Sequence, residues 1–214
     1  MEKKLSEIRR EYTKGSLAHN NTLNDPFEQF KLWLDDAINA GEDEPTAMIV
    51  ATVSAECQPS TRTVLLKGME NGRLFFFTNY QSRKGIQLAG NPYISLSFVW
   101  HKLERQIHIE GITEKCTPEA SDTYFKTRPY KSRIGARISP QSRIIRSRME
   151  IMRAFVGESI KYAGREVPRP DNWGGYAVTP MRFEFWQGRE SRLHDRILYI
   201  IQENGEWQNV RLAP

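Results

Sequence analysis

Hydrophobic and polar positions alternate with period two over much of this chain, and its start and middle switch to a helical period. Ala47–Val53, Thr61–Lys67 and Leu74–Thr78 are rich in Val, Leu and Phe and read as strands. Asn71-Gly72 is a hairpin signal between the last two. Tyr93–Trp100 and Arg105–Thr113 read as an antiparallel pair. Tyr176–Thr179, Arg182–Gln187, Ile197–Ile201 and Trp207–Leu212 read as closing strands, with a turn at Asn204-Gly205. Helical stretches are predicted at 5–14, with Leu5, Ile8 and Tyr12 on one side, and from Asp25-Pro26 to near Gly41, with Phe27, Phe30, Leu34 and Ile38 as the buried stripe. Further helices are expected over Ser82–Ala89, from Thr117-Pro118-Glu119 through Phe125 until Arg128-Pro129 breaks it, and from Ser142 to about Val156. Many short antiparallel strands with N-terminal and central helices predict a mainly β (α+β) architecture, a β-barrel with attached helices.

The densest chemistry lies near the C-terminus. In Phe183-Glu184-Phe185-Trp186-Gln187-Gly188, Phe183 and Phe185 face one way and Glu184 and Trp186 the other. Gly188 and the polar residues after it should turn the chain. Arg192, His194 and Arg196 then share one parity, so an extended segment would present a cation, a titratable imidazole and a second cation on one face. That surface suits a flat, anionic, hydrogen-bonding ligand. Read singly, Phe183 and Phe185 are core residues of a sheet and the arginines a solvated surface.

With 214 residues the chain can bury one sizeable core, or at most two small ones. Hydrophobic content of 39% and charged content of 27% describe a soluble globular protein and argue against disorder. No apolar run approaches the length of a membrane span, and the charged start Met1–Glu7 is unlike a signal peptide. Cys57 and Cys116 have no metal-ligand spacing, so no metal site is expected, and free thiols fit a reducing cytoplasm. The net charge of +5 comes from dispersed Lys and Arg beside hydroxyl residues rather than from a basic block. Such spacing suits discrete phosphate pockets better than nucleic acid or an anionic membrane.

Two clusters have that character. Ser82 would cap a helix whose first turn carries Arg83 and Lys84, with Arg62 as a further cation; by itself this reads equally well as a solvated helix start. Tyr124 and Arg128, four apart, join Lys67 and Ser132 to offer two cations and two hydroxyls, enough for a phosphomonoester; by itself this reads rather as a helix terminus with basic residues near its negative end. Arg62 and Lys67 point to opposite faces of a regular strand, so serving one site requires a bulge, a strong twist or an interface between subunits.

The C-terminal string, Phe183 and Phe185 with Trp186-Gln187-Gly188 and Arg192-Leu193-His194-Asp195-Arg196, resembles the signature of the pyridoxamine 5′-phosphate oxidase family. The resemblance covers nearly the whole chain: Arg9–Gly15, Pro45–Met48, Arg62–Lys67, Thr78-Asn79, Ser82–Lys84, Glu104–Gln106, Tyr124-Phe125, Arg128-Pro129, Ser132, Gln141-Ser142, Trp173–Gly175 and Arg211–Pro214 follow in the expected order. It implies an FMN-binding split β-barrel, active as a cytoplasmic homodimer, with an N-terminal helical segment over 1–44 acting as a lid. The barrel would span 45–214, with a helical insertion at about 117–165 and C-terminal strands over 174–214. The implied reaction is flavin-dependent oxidation of pyridoxine 5′-phosphate and pyridoxamine 5′-phosphate to pyridoxal 5′-phosphate, with oxygen reduced to hydrogen peroxide.

The resemblance also assigns residues. Arg62, Thr63, Val64, Leu65, Leu66, Lys67, Phe77, Thr78, Arg83, Lys84, Gln106, Gln141, Ser142, Trp186 and Arg196 would contact FMN, some of them from the second subunit. Lys67, Tyr124, Arg128 and Ser132 would hold the substrate phosphate. Arg9, Tyr12, Arg192, Leu193 and His194 would surround the substrate ring, with Arg9, Tyr12, Arg192 and His194 closest to the chemistry. Phe77 stands where many members carry tyrosine, and Glu44 where aspartate is common. Two other classes fit part of the chain. A split-barrel flavin reductase leaves the Lys67/Tyr124/Arg128/Ser132 cluster unexplained; a non-enzymatic flavin- or nucleic-acid-binding protein leaves Arg192-Leu193-His194 unexplained.

Overall fold

The computed structural model describes residues 4–5, 11–18 and 22–214. In chain order these form α1 (Pro26–Asn39), β1 (Ala47–Val53), β2 (Pro59–Leu65), β3 (Gly68–Glu70), β4 (Arg73–Asn79), α2 (Arg83–Gly90), β5 (Tyr93–Trp100) and β6 (Arg105–Lys115). There follow α3 (Pro118–Thr127), α4 (Tyr130–Ile138), α5 (Arg148–Lys161), β7 (Trp173–Gln187), a 3₁₀ turn at Glu190–Arg192, β8 (Asp195–Ile201) and β9 (Trp207–Leu212). The strands join in the order β2-β1-β5-β6-β7-β4-β3, with β8 on β7 and β9 on β8.

The chain divides into two compact units. One comprises residues 1–50, 95–111 and 180–214, the other 51–94 and 112–179. The core of the first is aromatic. Phe30 meets Phe98 edge-on at 5.1 Å, and Trp33 meets Phe185 at 5.2 Å. Phe183 and Phe185 are fully buried, as their alternation predicts, and each contributes roughly 1.5–3 kcal/mol by leaving water. Of the expected stripe on α1, Phe30 is buried, Phe27 and Leu34 are half-buried and Ile38 is exposed, while Trp33 and Ala37 are buried as well. Trp33 also carries the Arg105 guanidinium at 4.4 Å, and Arg105 in turn bonds Asp36. Asp25 caps α1 as expected, accepting from the Phe27 N–H.

In the second unit β4 pairs with β7 from Leu74↔Val178 to Asn79↔Trp173. A second core gathers Phe125, Ile134, Val167 and Trp173 under the helices. The Asn71-Gly72 turn forms with both residues at positive φ, but it joins β4 to the short β3 rather than to the longer strand before it. The expected helix at 142–156 begins only at Arg148, and Ser142 has φ 70°. Helix α4 was not expected at all. Strand β7 runs unbroken through Pro180, which falls between the β4 ladder ending at Val178 and the β8 ladder beginning at Arg182, where its missing N–H is not required.

Among the described residues of the predicted helix over 5–14, Leu5 is helical, in a 3₁₀ conformation. Glu11–Lys14 is non-helical, because the N–H groups of Thr13 and Lys14 are taken by the Glu104 carboxylate at 2.8 and 3.0 Å instead of by preceding carbonyls. Ile8, Arg9 and Arg10 lie outside the described residues.

Candidate active site

The second unit contains a cavity of about 470 Å³. Eleven of the residues assigned above line it: Thr63, Val64 and Leu65 from β2, Lys67 just beyond, Phe77 and Thr78 from β4, Lys84 from α2, Tyr124 from α3, then Arg128, Ser132 and Gln141. Thr127, Pro129 and Trp173 complete the wall and were not anticipated as site residues. The signal for Trp173 is its place before two glycines. Its ring stacks in series with Tyr124 and Phe77, and Phe77 lies 3.8 Å from Tyr124. Arg128 sits over Trp173 at 4.5 Å, which fixes its long side chain by packing.

The wall is cationic. Lys67, Lys84 and Arg128 line it and, among the described residues, no carboxylate does. Lys84 is buried, and burial first, then the charge of Arg62, lowers it to about 8. Its ammonium donates to Thr78 Oγ1 and Gln141 Oε1, both at 3.1 Å. Arg128 Nη1 is buried without a hydrogen-bond partner. A buried guanidinium N–H without an acceptor costs of the order of 1–3 kcal/mol, which a bound anion would relieve.

Arg62, Leu66, Arg83 and Ser142 do not line this cavity. Leu66 is buried, Arg83 and Ser142 are exposed, and Arg62 is half-buried. The parity conflict between Arg62 and Lys67 does not arise in a regular strand, because β2 ends at Leu65 and Lys67 lies beyond it, its N–H bonded to Phe75 O.

The first unit holds the other assigned residues. Arg192 and His194 are not side by side on an extended segment, which corrects the expected geometry. Ser191 and Arg192 adopt φ 55° and 62° inside the 3₁₀ turn, so the alternation stops there, and Arg196 alone lies on a strand. His194 is held by the turn itself, its Nδ1 accepting the Arg189 N–H at 3.1 Å. That bond leaves the proton on Nε2, so the imidazole offers a donor. Burial, then Arg192, lowers its pKa, which favours the neutral ring. Its ring lies 4.6 Å from Trp186 and 5.6 Å from Tyr12. Leu193 is exposed; it and Tyr12 line a cavity of about 370 Å³. Arg196 bonds Glu184 at 2.8 Å, and Gln106 faces away from the buried Ile107 and Ile109.

Glu104 organises this region, which no local pattern signals. It is buried, with φ 56°. Its carboxylate holds Thr13 and Lys14, while its carbonyl accepts the Gly188 N–H at 2.8 Å. Asp195 accepts the Leu17 N–H, and Arg189 donates to Gly15 O. Residues 12–17 are thereby tied down with Tyr12 edge-on to Trp186 at 5.7 Å.

The fold is shared with known proteins. PhzG from Burkholderia lata 383, solved with tetrahydrophenazine-1-carboxylic acid, superimposes with a TM-score of 0.86 at 26% identity, over 91% of this chain and 95% of that one. A pyridoxamine 5′-phosphate oxidase-related, FMN-binding protein from Nostoc punctiforme PCC 73102 gives 0.70 at 16% identity, over 86% of this chain and 97% of its own. Fold and cavity together define a split-barrel protein whose cavity suits an anionic ligand. Residues 34–157 match the family described as pyridoxamine 5′-phosphate oxidase, and 173–214 match the pyridoxine 5′-phosphate oxidase C-terminal dimerisation region. Curated pyridoxine/pyridoxamine 5′-phosphate oxidases are 62% identical in Bacteroides thetaiotaomicron, over 99% of this chain and all of that one, and 56% identical in Porphyromonas gingivalis W83, over the full length of both. The chain belongs to the pyridoxamine 5′-phosphate oxidase family.

Proposed function

We propose that this chain converts pyridoxine 5′-phosphate and pyridoxamine 5′-phosphate to pyridoxal 5′-phosphate with molecular oxygen as final acceptor, in a site completed by a second copy. Family membership makes it an FMN-dependent oxidoreductase of these vitamers and a homodimer. When bound, FMN would supply the redox chemistry, oxidation at the 4′ carbon with oxygen reduced to peroxide. With the amine substrate the imine product is hydrolysed and ammonia leaves. The two free thiols, Cys57 and Cys116, suit a cytoplasmic setting.

The observation that carries this reading is the cavity lined by three cations, with an Arg128 N–H buried in it without an acceptor. Lys67, Tyr124, Arg128 and Ser132 would bind the substrate phosphate. Arg62, Arg83 and Lys84 would hold the FMN phosphate, with Thr63–Leu66, Phe77, Thr78, Gln141 and Ser142 along the cofactor. Gln106, Trp186 and Arg196 would reach it from the partner subunit. Tyr12, Arg192, Leu193 and His194 would position the pyridine ring, and residues 12–17 would form part of a lid over the bound substrate that keeps water out. Arg9 has the same assigned role on the resemblance alone. The direct test is peroxide production with each phosphorylated vitamer by protein that carries the yellow flavin spectrum; a colourless protein unable to take up FMN refutes it.

Arg128→Ala should raise KM about 10- to 100-fold with little change in kcat, the scale of one charge-assisted contact far from the reacting carbon. Non-phosphorylated pyridoxine should be a poor substrate for the wild type. Equal turnover of pyridoxine and its phosphate would remove the assigned pocket.

Lys84 gives a pH signature. Its pKa of about 8 in the flavin-free protein lies below the ordinary 10.5. Below pH 8 both folded and unfolded chains carry the charge, and the cost of burying it is felt in full. Between those values the unfolded chain binds more protons, so this group makes the flavin-free fold more stable as pH rises. FMN binding has the opposite sign, because the phosphate pairs with the ammonium. Its affinity should fall above about pH 8, by at most about tenfold per pH unit. Fluorescence titration of wild type and Lys84→Met checks this; the variant should lose the slope.

A further inference from the structure

Arg62 is held in an unusual way. One terminal nitrogen donates to Thr52 Oγ1 at 2.6 Å and the other to Ser60 Oγ at 2.7 Å. Thr52 lies on β1, Ser60 two residues before Arg62 on β2, and both hydroxyls then donate to one atom, Gln87 Oε1 on α2. Thr52 and Gln87 are buried. The direction of every bond is dictated by chemistry. A guanidinium can only donate, so each hydroxyl oxygen accepts from it, and each hydroxyl proton must find another acceptor. A single amide oxygen receives both.

We infer that Gln87, acting through Thr52 and Ser60, is a positioning residue that aims the Arg62 guanidinium at the FMN phosphate without neutralising it. A carboxylate at position 87 would accept the same two protons more strongly, but it would bring a negative charge next to the cation and compete with the phosphate for it. A neutral amide fixes the geometry without adding a negative charge beside the cation. The same device recurs at Lys84, whose ammonium is held by the hydroxyl of Thr78 and the amide oxygen of Gln141, with Thr78 itself donating to that oxygen. Helix α2 carries both Lys84 and Gln87, so it delivers one cation and orients another.

The inference rests on the proposed contact between Arg62 and the FMN phosphate, and the test separates the two. Holoenzyme is dialysed to measure the dissociation constant for FMN, and riboflavin, which lacks the phosphate, is titrated into the same protein. The readout is the preference for FMN over riboflavin, with melting temperature as the control for folding. Gln87→Glu should lower that preference about 10- to 100-fold, through the FMN term alone, because charged hydrogen-bond partners are at stake. Gln87→Leu should lower it less, up to about tenfold, by leaving the hydroxyls without an acceptor. Ser60→Ala removes one relay at a half-buried position and should cost a few-fold at unchanged melting temperature; it decides the matter if the Gln87 variants fold poorly. An unchanged preference in both Gln87→Glu and Ser60→Ala overturns the inference, as does a parallel loss of both ligands, which would mean packing alone. Arg62→Ala tells which layer has failed: if it too leaves the preference intact, the phosphate contact falls and the inference with it, whereas a lost preference there alone leaves the contact standing.

Discussion

Arg192→Ala should lower kcat/KM by about two to three orders of magnitude while the flavin spectrum, the dimer and the melting temperature persist. The magnitude is that of reacting groups displaced by about an ångström. The persistence follows from exposure, since Arg192 is solvent-accessible and makes no packing contribution to either core. Its backbone gives the reason for expecting so much from an exposed residue. Ser191 and Arg192 both take left-handed conformations that non-glycine residues seldom adopt, at φ 55° and 62°. Such geometry persists only where the surroundings enforce it. Here the Arg189 N–H to His194 Nδ1 bond closes the turn, and the Leu193 N–H bonds Glu190 O inside it. The turn places a cation and a neutral N–H donor within two residues, fit to grip opposite sides of a charged ring. Anaerobic mixing with pyridoxamine 5′-phosphate follows flavin bleaching apart from the oxygen step. Bleaching at the wild-type rate in Arg192→Ala would show the turn to be structural.

The position of these residues in sequence was legible, but their geometry was not. Period-two alternation located β1 and β5 end to end, because each has a regular inward face, and the Asn204-Gly205 turn helped to place β9. The same rule failed past Gly188, where parity was extended across a turn made of left-handed residues that no composition marks. Helix α5 went wrong for a related reason. None of its residues is buried, so no apolar stripe signs its start. Helix α4 hides behind Pro129, which follows α3 and opens the next helix one residue later; Ile134 is its one buried residue. In the second unit Lys67, Lys84, Tyr124, Arg128 and Ser132 were legible as clustered cations and hydroxyls, whereas Thr63, Val64, Leu65, Phe77, Thr78 and Gln141 were assigned by the family resemblance; all eleven share one cavity. Glu104 and Gln87 were not legible. Their roles arise from partners 91 and 35 residues away, and long-range hydrogen bonds leave no local pattern.

Gly85→Ala should destabilise the protein by about 1–3 kcal/mol and cause it to purify with little flavin. A local rule predicts the opposite sign. Gly85 lies in the first turn of α2, and alanine is favoured over glycine inside a helix by up to about 1 kcal/mol. The tertiary contact overrides that gain. A Cβ on Gly85 would stand 2.3 Å from the backbone oxygen of Tyr80 and 2.6 Å from its carbonyl carbon. Neither atom can swing aside as a side chain could, because Tyr80 is pinned at both ends, its N–H on Asn172 O and its hydroxyl on Gly175 O. The helix must therefore move, at the overpacking cost of about 1–3 kcal/mol or more. Movement there disturbs the Ser82 cap, whose oxygen accepts the Gly85 N–H at 3.3 Å. It also shifts Lys84 and Gln87, which hold one cation in the cavity wall and align another. Stability and cofactor retention should therefore fall together in this variant, whereas Gln87→Glu should lose FMN alone. Thermal melting with and without excess FMN measures both. If Gly85→Ala melts at or above the wild-type temperature, the close approach of α2 to Tyr80 is not a constraint on the folded protein, and the rigidity claimed for this side of the cavity fails with it.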